Sequence, residues 1–189
     1  MTITNIDEKS TDTQCKVEVH VTHAKISFPG SNSWKDIKTA AGGKGMIESI
    51  GKIKRSLTIQ EAISSIYEQV INCLIGSHFI MPIEISGHSL GGGLAQELAF
   101  WLIKSGLGKI NIILDGSIRI GNKAYARYLE EHCDSITWNE NGNDPIPLIW
   151  PWLSRVGKVV ILKPRVFPWL DFDLENGAHS GYWPVEYKR

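Results

Sequence analysis

The sequence predicts an α/β fold, a mostly parallel central sheet flanked by helices, and three observations carry that expectation. Short apolar runs recur in residues 81–85, "KINIILDG", "SITW" and "KVVILK", and near-continuous apolar strands belong to sheets covered on both faces. Between them lie stretches of helical periodicity, so strands and helices alternate along the chain. One glycine-rich turn, "SGHSLGGGL", joins a predicted strand directly to a predicted helix.

Taken in order, residues 1–14, "MTITNIDEKSTDTQ", are polar and acidic and are expected to be a flexible tail ahead of a single domain over 15–189. "KVEVHVTHAKISF" alternates through Val17, Val19 and Val21, slips, and resumes at Ala24, Ile26 and Phe28. It reads as one bent strand or two consecutive strands ending at Pro29-Gly30. "SNSWKDIKTAAGGKG" reads as a loop with one helical turn at most. From Thr58 the period becomes helical: Thr58 and Glu61 have capping-box spacing, and Ile63, Ile66, Val70 and Leu74 share one stripe. The strand at 81–85 and a helix over about 90–104 enclose the glycine-rich turn. "KINIILDG", a helix over 122–132, "SITW" and "KVVILK" follow.

The bulk numbers exclude several classes. A chain of 189 residues with 42% hydrophobic and 21% charged content can bury one core. Twenty basic residues against twenty acidic ones leave no net charge, so nucleic acid has no basic excess to bind. Lys52, Lys54 and Arg55 read as a solvated approach to the following helix. Cys15, Cys73 and Cys133 lack metal-ligand spacing and fit reduced, mostly buried thiols. There is no cationic leader with an apolar core and no run long enough for a transmembrane span. A cytoplasmic chain is therefore expected, with signal-free release or packaging into a particle left open.

Gly87-His88-Ser89-Leu90-Gly91 has the form G-x-S-x-G between a predicted strand and a predicted helix. In such an elbow the serine sits on a tight turn, and its neighbours two residues away lack side chains so that strand and helix can approach. The following helix points free N–H groups at the place where an oxyanion would form. A phosphate-binding loop is the alternative use of such a turn. G-x-x-x-x-G-K-[ST] is absent, however, and "GGKG" has glycine where that loop needs a hydroxyl. The plainer alternative is a strand–helix turn with an incidental serine.

A nucleophilic serine needs a base, and the base needs an acid, in the chain order serine, acid, histidine for this kind of elbow. Of the six histidines only His132 and His179 follow Ser89. His132 sits at a helix end, where histidine commonly caps carbonyls, whereas His179 lies in the glycine-flanked loop "ENGAHSGYW" and is the better base. Asp144, in "WNENGNDPIPLIWP", follows a strand and is restrained by Pro145 and Pro147, although Asn-Asp-Pro is also ordinary turn chemistry. Asp115 is the fallback acid. Asp134 falls at the wrong end of the sheet, and Asp171 and Asp173 leave little chain before His179.

Three segments, in order, resemble the class 3 (fungal-type triacylglycerol) lipases of the α/β-hydrolase fold. They are "ISGHSLGGGLAQELA", "SIRIGNKAYARYL" (Ile118 stands where that family has proline) and "NGNDPIPLIWP". "ISFPGSNSWKDIK" is fainter, with Pro29 in place of the family's arginine, and "GGKGM" replaces its His-x-Gly-Phe segment. The resemblance implies a compact α/β-hydrolase of this type, with Ser89 as nucleophile, Asp144 as acid and His179 as base. It also implies an oxyanion hole from the Ser31 and Leu90 N–H groups, and an acyl-ester or lipid substrate cleaved without metal or organic cofactor. "SNSWKDIK" would be a lid whose Trp34 and Ile37, one helical turn apart, could touch a lipid interface; a surface loop with one packed tryptophan is the alternative. Trp150, Trp152 and Trp169 could line an acyl pocket, meet lipid or belong to the core. An acyltransferase or amide hydrolase with the same triad, and a catalytically silent scaffold acting as a binding protein, are the competing readings.

Overall fold

The computed structural model describes residues 1–31, 46–49, 52–75, 81–165, 170–173, 177–180 and 182. Its strands are β1 (Thr2–Glu8), β2 (Thr13–Val19), β3 (Ala24–Phe28), β4 (Met46–Ser49), β5 (Ile53–Ser56), β6 (Ile83–His88), β7 (Ile110–Asp115), β8 (Ser135–Asn141) and β9 (Lys158–Lys163). The helices are α1 (Leu57–Ile75), α2 (Leu90–Lys104) and α3 (Lys123–His132).

Seven strands form one sheet in the order β1-β2-β3-β6-β7-β8-β9, and β4-β5 is a separate hairpin. From β3 to β9 every pairing is parallel, while β1 and β2 are added antiparallel at one edge. The register aligns Phe28 with Gly87, His88 with Asp115, and Asp115 with Asn139. The C-terminal ends of β3, β6, β7 and β8 therefore finish side by side along one rim, where open α/β sheets assemble their sites.

The core explains why these segments fold as they do. Val17, Ile26, Ile85, Ile112 and Trp138 are buried on successive strands. Helix α1 turns the stripe Ile59, Ile63, Ile66, Val70 and Leu74 inward and packs on β1, β2 and α2. Helix α2 lies across β3, β6 and β7 and is buried almost all round, so it can open with three glycines and still hold its place. Strand β9 closes the far edge, and Val159 and Ile161 stay 40% and 55% exposed there, so its apolar run belongs to an edge rather than a covered strand.

Three expectations need correction. Residues 1–14 are not a flexible tail: β1 pairs along its whole length with β2, from Thr2 opposite Val19 to Glu8 opposite Thr13. An edge strand needs little apolar content, and here Ile6 alone in β1 is buried. Of the two readings open for "KVEVHVTHAKISF", the structure has two strands, with a turn closed by His20 N–H donating to the His23 carbonyl at 2.9 Å. Helix α1 starts at Leu57, with Ser56 Oγ accepting from the Ile59 N–H at 3.4 Å, so Ser56 rather than Thr58 supplies the cap. Arg55 is not solvated: it is buried in β5 and ion-paired with Glu97 of α2.

Candidate active site

Ser89 stands between β6 and α2 with φ 55° and ψ −121°, a backbone conformation that L-residues rarely adopt. Three backbone hydrogen bonds hold it there. Its N–H donates to the Asp115 carbonyl at 2.9 Å, and its own carbonyl accepts from Gly92 at 3.1 Å and Ile118 at 3.2 Å. The glycines on either side answer a packing demand. A β-carbon on Gly87 would lie 2.2 Å from the Gly91 carbonyl oxygen, and one on Gly91 would lie 2.3 Å from that of Pro29. Although Ser89 occupies the cap position of α2, its hydroxyl makes no capping bond. That hydroxyl is buried without a hydrogen-bond partner among the described residues.

The second strand end brings Asp144. The residue follows β8 and begins a tight turn in which its N–H donates to the Asn141 carbonyl at 3.0 Å and its Oδ1 accepts from the Ile146 N–H at 2.8 Å. With one oxygen fixed by backbone, Oδ2 faces His179 Nδ1 at 2.9 Å and accepts the Tyr182 hydroxyl at 2.8 Å. Both residues of the His179–Asp144 pair are buried. A carboxylate can only accept, so His179 carries its proton on Nδ1, which leaves Nε2 with a lone pair. His179 Nε2, like the Ser89 hydroxyl, is buried without a partner among the described residues.

His179 reaches this position through a braced turn. Asp171 Oδ2 accepts from the Ala178 N–H at 2.8 Å, and Asn141 Nδ2 donates to the Ala178 carbonyl at 2.7 Å. His88 Nε2 donates to the His179 carbonyl at 2.8 Å, with the two rings 4.5 Å apart. Burial, reinforced by the neighbouring His179, pushes His88 down to about 4, so it is a neutral support rather than a second base. Arg119 holds the Asp144 loop from behind, donating through Nε to the Pro147 carbonyl at 2.8 Å and through Nη1 to those of Pro151 and Leu153 at 3.3 and 3.1 Å.

Asp144 and His179 thus pair at the rim, His179 meets His88, the residue before Ser89, and Gly87, His88 and Gly91 form the turn around the serine. Leu90 opens α2 next to Ser89. Ser31 follows Gly30, where an added β-carbon would lie 3.2 Å from Ser89 Cβ, so the end of β3 abuts the serine. Trp34 and Ile37, expected in a lid, and Trp169 lie outside the described residues. Trp150 packs against the core, whereas Trp152 is 72% exposed. Asp115 accepts from Asn139 Nδ2 at 2.7 Å, and His132 meets the Tyr128 carbonyl at 2.7 Å, as expected of a helix-end histidine. Tyr182, Asn141, Asp171 and Arg119 were not read from the sequence as parts of the site. Arg119 at least had a signal, since it sits within the "SIRIGN" segment.

Comparison with known proteins bears on the family and the fold. The family model for class 3 lipases matches residues 6–153. A secreted mono- and diacylglycerol lipase 2 of Gibberella zeae is 34% identical over 106 residues, 46% of this chain and 25% of that protein. A secreted mono- and diacylglycerol lipase 1 of Fusarium solani is 33% identical over 67 residues, 35% of this chain and 20% of that protein. The chain thus spans a quarter or less of these two relatives. Among solved structures, lipase II from Rhizopus niveus superimposes with a TM-score of 0.73 at 19% identity, covering 94% of this chain and 74% of that one. The triacylglyceride lipase of Rhizomucor miehei gives 0.71 at 19% identity, covering 85% and 66%.

Proposed function

The chain belongs to the class 3 lipase family, and on that premise we propose that it is a serine carboxylic-ester hydrolase acting on lipid acyl esters. The observation that carries this reading is the pair of buried, unpartnered atoms Ser89 Oγ and His179 Nε2, with Asp144 on the far side of the imidazole. A nucleophile and a base kept out of water and out of other hydrogen bonds are ready for a substrate to enter between them.

Ser89 Oγ attacks the ester carbonyl carbon while His179 Nε2 takes its proton. Asp144 fixes the tautomer and stabilises the imidazolium. The oxyanion lies against the N–H groups of Leu90 and Ser31, at the positive end of α2. The imidazolium returns its proton to the leaving alcohol, and water, deprotonated by the same nitrogen, releases the acid from Ser89. The relatives named as mono- and diacylglycerol lipases support a glyceride as substrate.

Labelling with an alkyl fluorophosphonate followed by peptide mapping tests the assignment. A single adduct on Ser89 is expected. An unlabelled, folded protein would favour the silent scaffold. Release of an alkyl ester in place of free acid when an alcohol is added would favour the acyltransferase.

A further inference from the structure

A concavity of about 410 Å³ lies behind the Asp144 loop and is lined by Arg119, Lys123, Arg127, Glu130, Ser154 and Arg155 together with Ala126. Lys123, Ala126, Arg127 and Glu130 fall on one stripe of α3, at spacings of three and four residues. Arg119 and the 154–155 segment form the opposite wall. Two carboxylates offset the four cations, and both are already engaged. Glu140 holds Arg155 through both oxygens, one pairing at 2.9 Å, and Glu130 Oε1 accepts from the Gly157 N–H at 2.8 Å. Arg119 hydrogen-bonds only to carbonyl oxygens. Lys123 and Arg127 are exposed and make no ion pair or side-chain hydrogen bond with any described residue.

The helix that carries Lys123 does not offset this charge itself. Lys123 is the first residue of α3, the positive end of its dipole, where an acidic residue is favoured, and the first turn of α3 contains none. In a chain whose charges balance overall, a local excess of this kind gathered in one cleft offers a place to an anion. Guanidinium and ammonium groups arriving from several directions suit a ligand with several acceptor oxygens on one centre.

We infer that the cleft between α3 and residues 154–155 binds a phosphate group, free or carried on a lipid headgroup, through Lys123, Arg127 and Arg119. Because Arg119 also grips the carbonyls behind Asp144, the ligand sits directly behind the loop that positions the acid.

Titration calorimetry at constant ionic strength, with inorganic phosphate as one probe, tests this on the full chain. Sedimentation with phosphatidylcholine vesicles, with and without phosphatidic acid, supplies the second probe. The variants are K123E/R127E and, to guard against a folding effect of charge reversal, K123A/R127A, each checked by circular dichroism. Wild-type protein is expected to bind phosphate, and both variants to bind it at least about tenfold more weakly, the loss of about 1.4 kcal/mol of charge-assisted contact. Accompanying retention on phosphatidic acid vesicles identifies a headgroup as ligand; phosphate binding alone identifies a free phosphate. No binding of wild type to either phosphate or phosphatidic acid vesicles, or equal binding by the variants, would each overturn the inference. The readout is independent of turnover.

Discussion

The Tyr182 hydroxyl donates at 2.8 Å to the same Asp144 oxygen that faces His179 Nδ1 at 2.9 Å, and it also accepts the Asn141 N–H at 2.6 Å. The phenol therefore ties the carboxylate to the end of β8, in a place where burial and the Asp144 charge keep its proton bound well above the ordinary phenol range. Tyr182→Phe removes one hydrogen bond from a buried carboxylate. Ester hydrolysis should fall about tenfold in kcat with little change in KM, with about 1 kcal/mol less stability. Steady-state kinetics and urea unfolding of the variant check both.

In ester hydrolysis Arg119 should act by positioning the Asp144 loop. Lysine keeps the charge but cannot reach three carbonyls with a planar fork, so Arg119→Lys should loosen the Asp144 loop. The expected result is a several-fold or larger loss in kcat. Binding of an uncleavable ester analogue should stay close to wild type, because no substrate contact is lost; affinity and turnover falling in parallel would contradict a positioning role.

His88 makes stability depend on pH. Its pKa drops from 6.5 to about 4 on folding, so the folded state refuses a proton that the unfolded chain accepts. That contribution is fully present above about pH 6.5 and is lost as pH falls toward 4, a slope of about 1.4 kcal/mol per unit. His88→Asn keeps a donor for the His179 carbonyl and removes the titration. Its unfolding free energy, measured by urea at several pH values across that window, should fall less steeply than wild type.

Arg55 and Glu97 form a buried ion pair, joined by a Trp101 Nε1 donor to Glu97 at 2.8 Å and by Phe100, whose ring centroid lies 4.5 Å from the Arg55 guanidinium carbon. Arg55→Met leaves the Glu97 carboxyl unpaired in the core and should cost about 3–5 kcal/mol. Burial already raises Glu97 from 4.5 to about 7, so its charged form becomes a liability as pH rises through that interval. The Arg55→Met defect should therefore be smaller at the acid end of the interval than above it, which thermal melts at both ends will show.

These features divide by how local their causes are. Every strand and helix from α1 to β8 left a pattern in the sequence because each buries a face of its own, while β9 was legible only as an apolar run that the structure leaves largely exposed. Strand β1 left none, since an edge needs one buried residue, Ile6, among polar ones. Arg55 looked solvated because its partner lies 42 residues away, and no local pattern announces a buried ion pair. Ser89 was legible from its elbow, and Asp144 and His179 from chain order. Tyr182 meets Asp144 across 38 residues of chain, a meeting that depends on how the turn bearing His179 packs against β8.

The hydrolase assignment rests on Ser89, and the most direct measurement is hydrolysis of a p-nitrophenyl acyl ester by wild type and Ser89→Ala, with circular dichroism to show that both are folded. The account predicts release of p-nitrophenol by wild type and none above background by the variant. A folded Ser89→Ala protein that turns the ester over at the wild-type rate would contradict it.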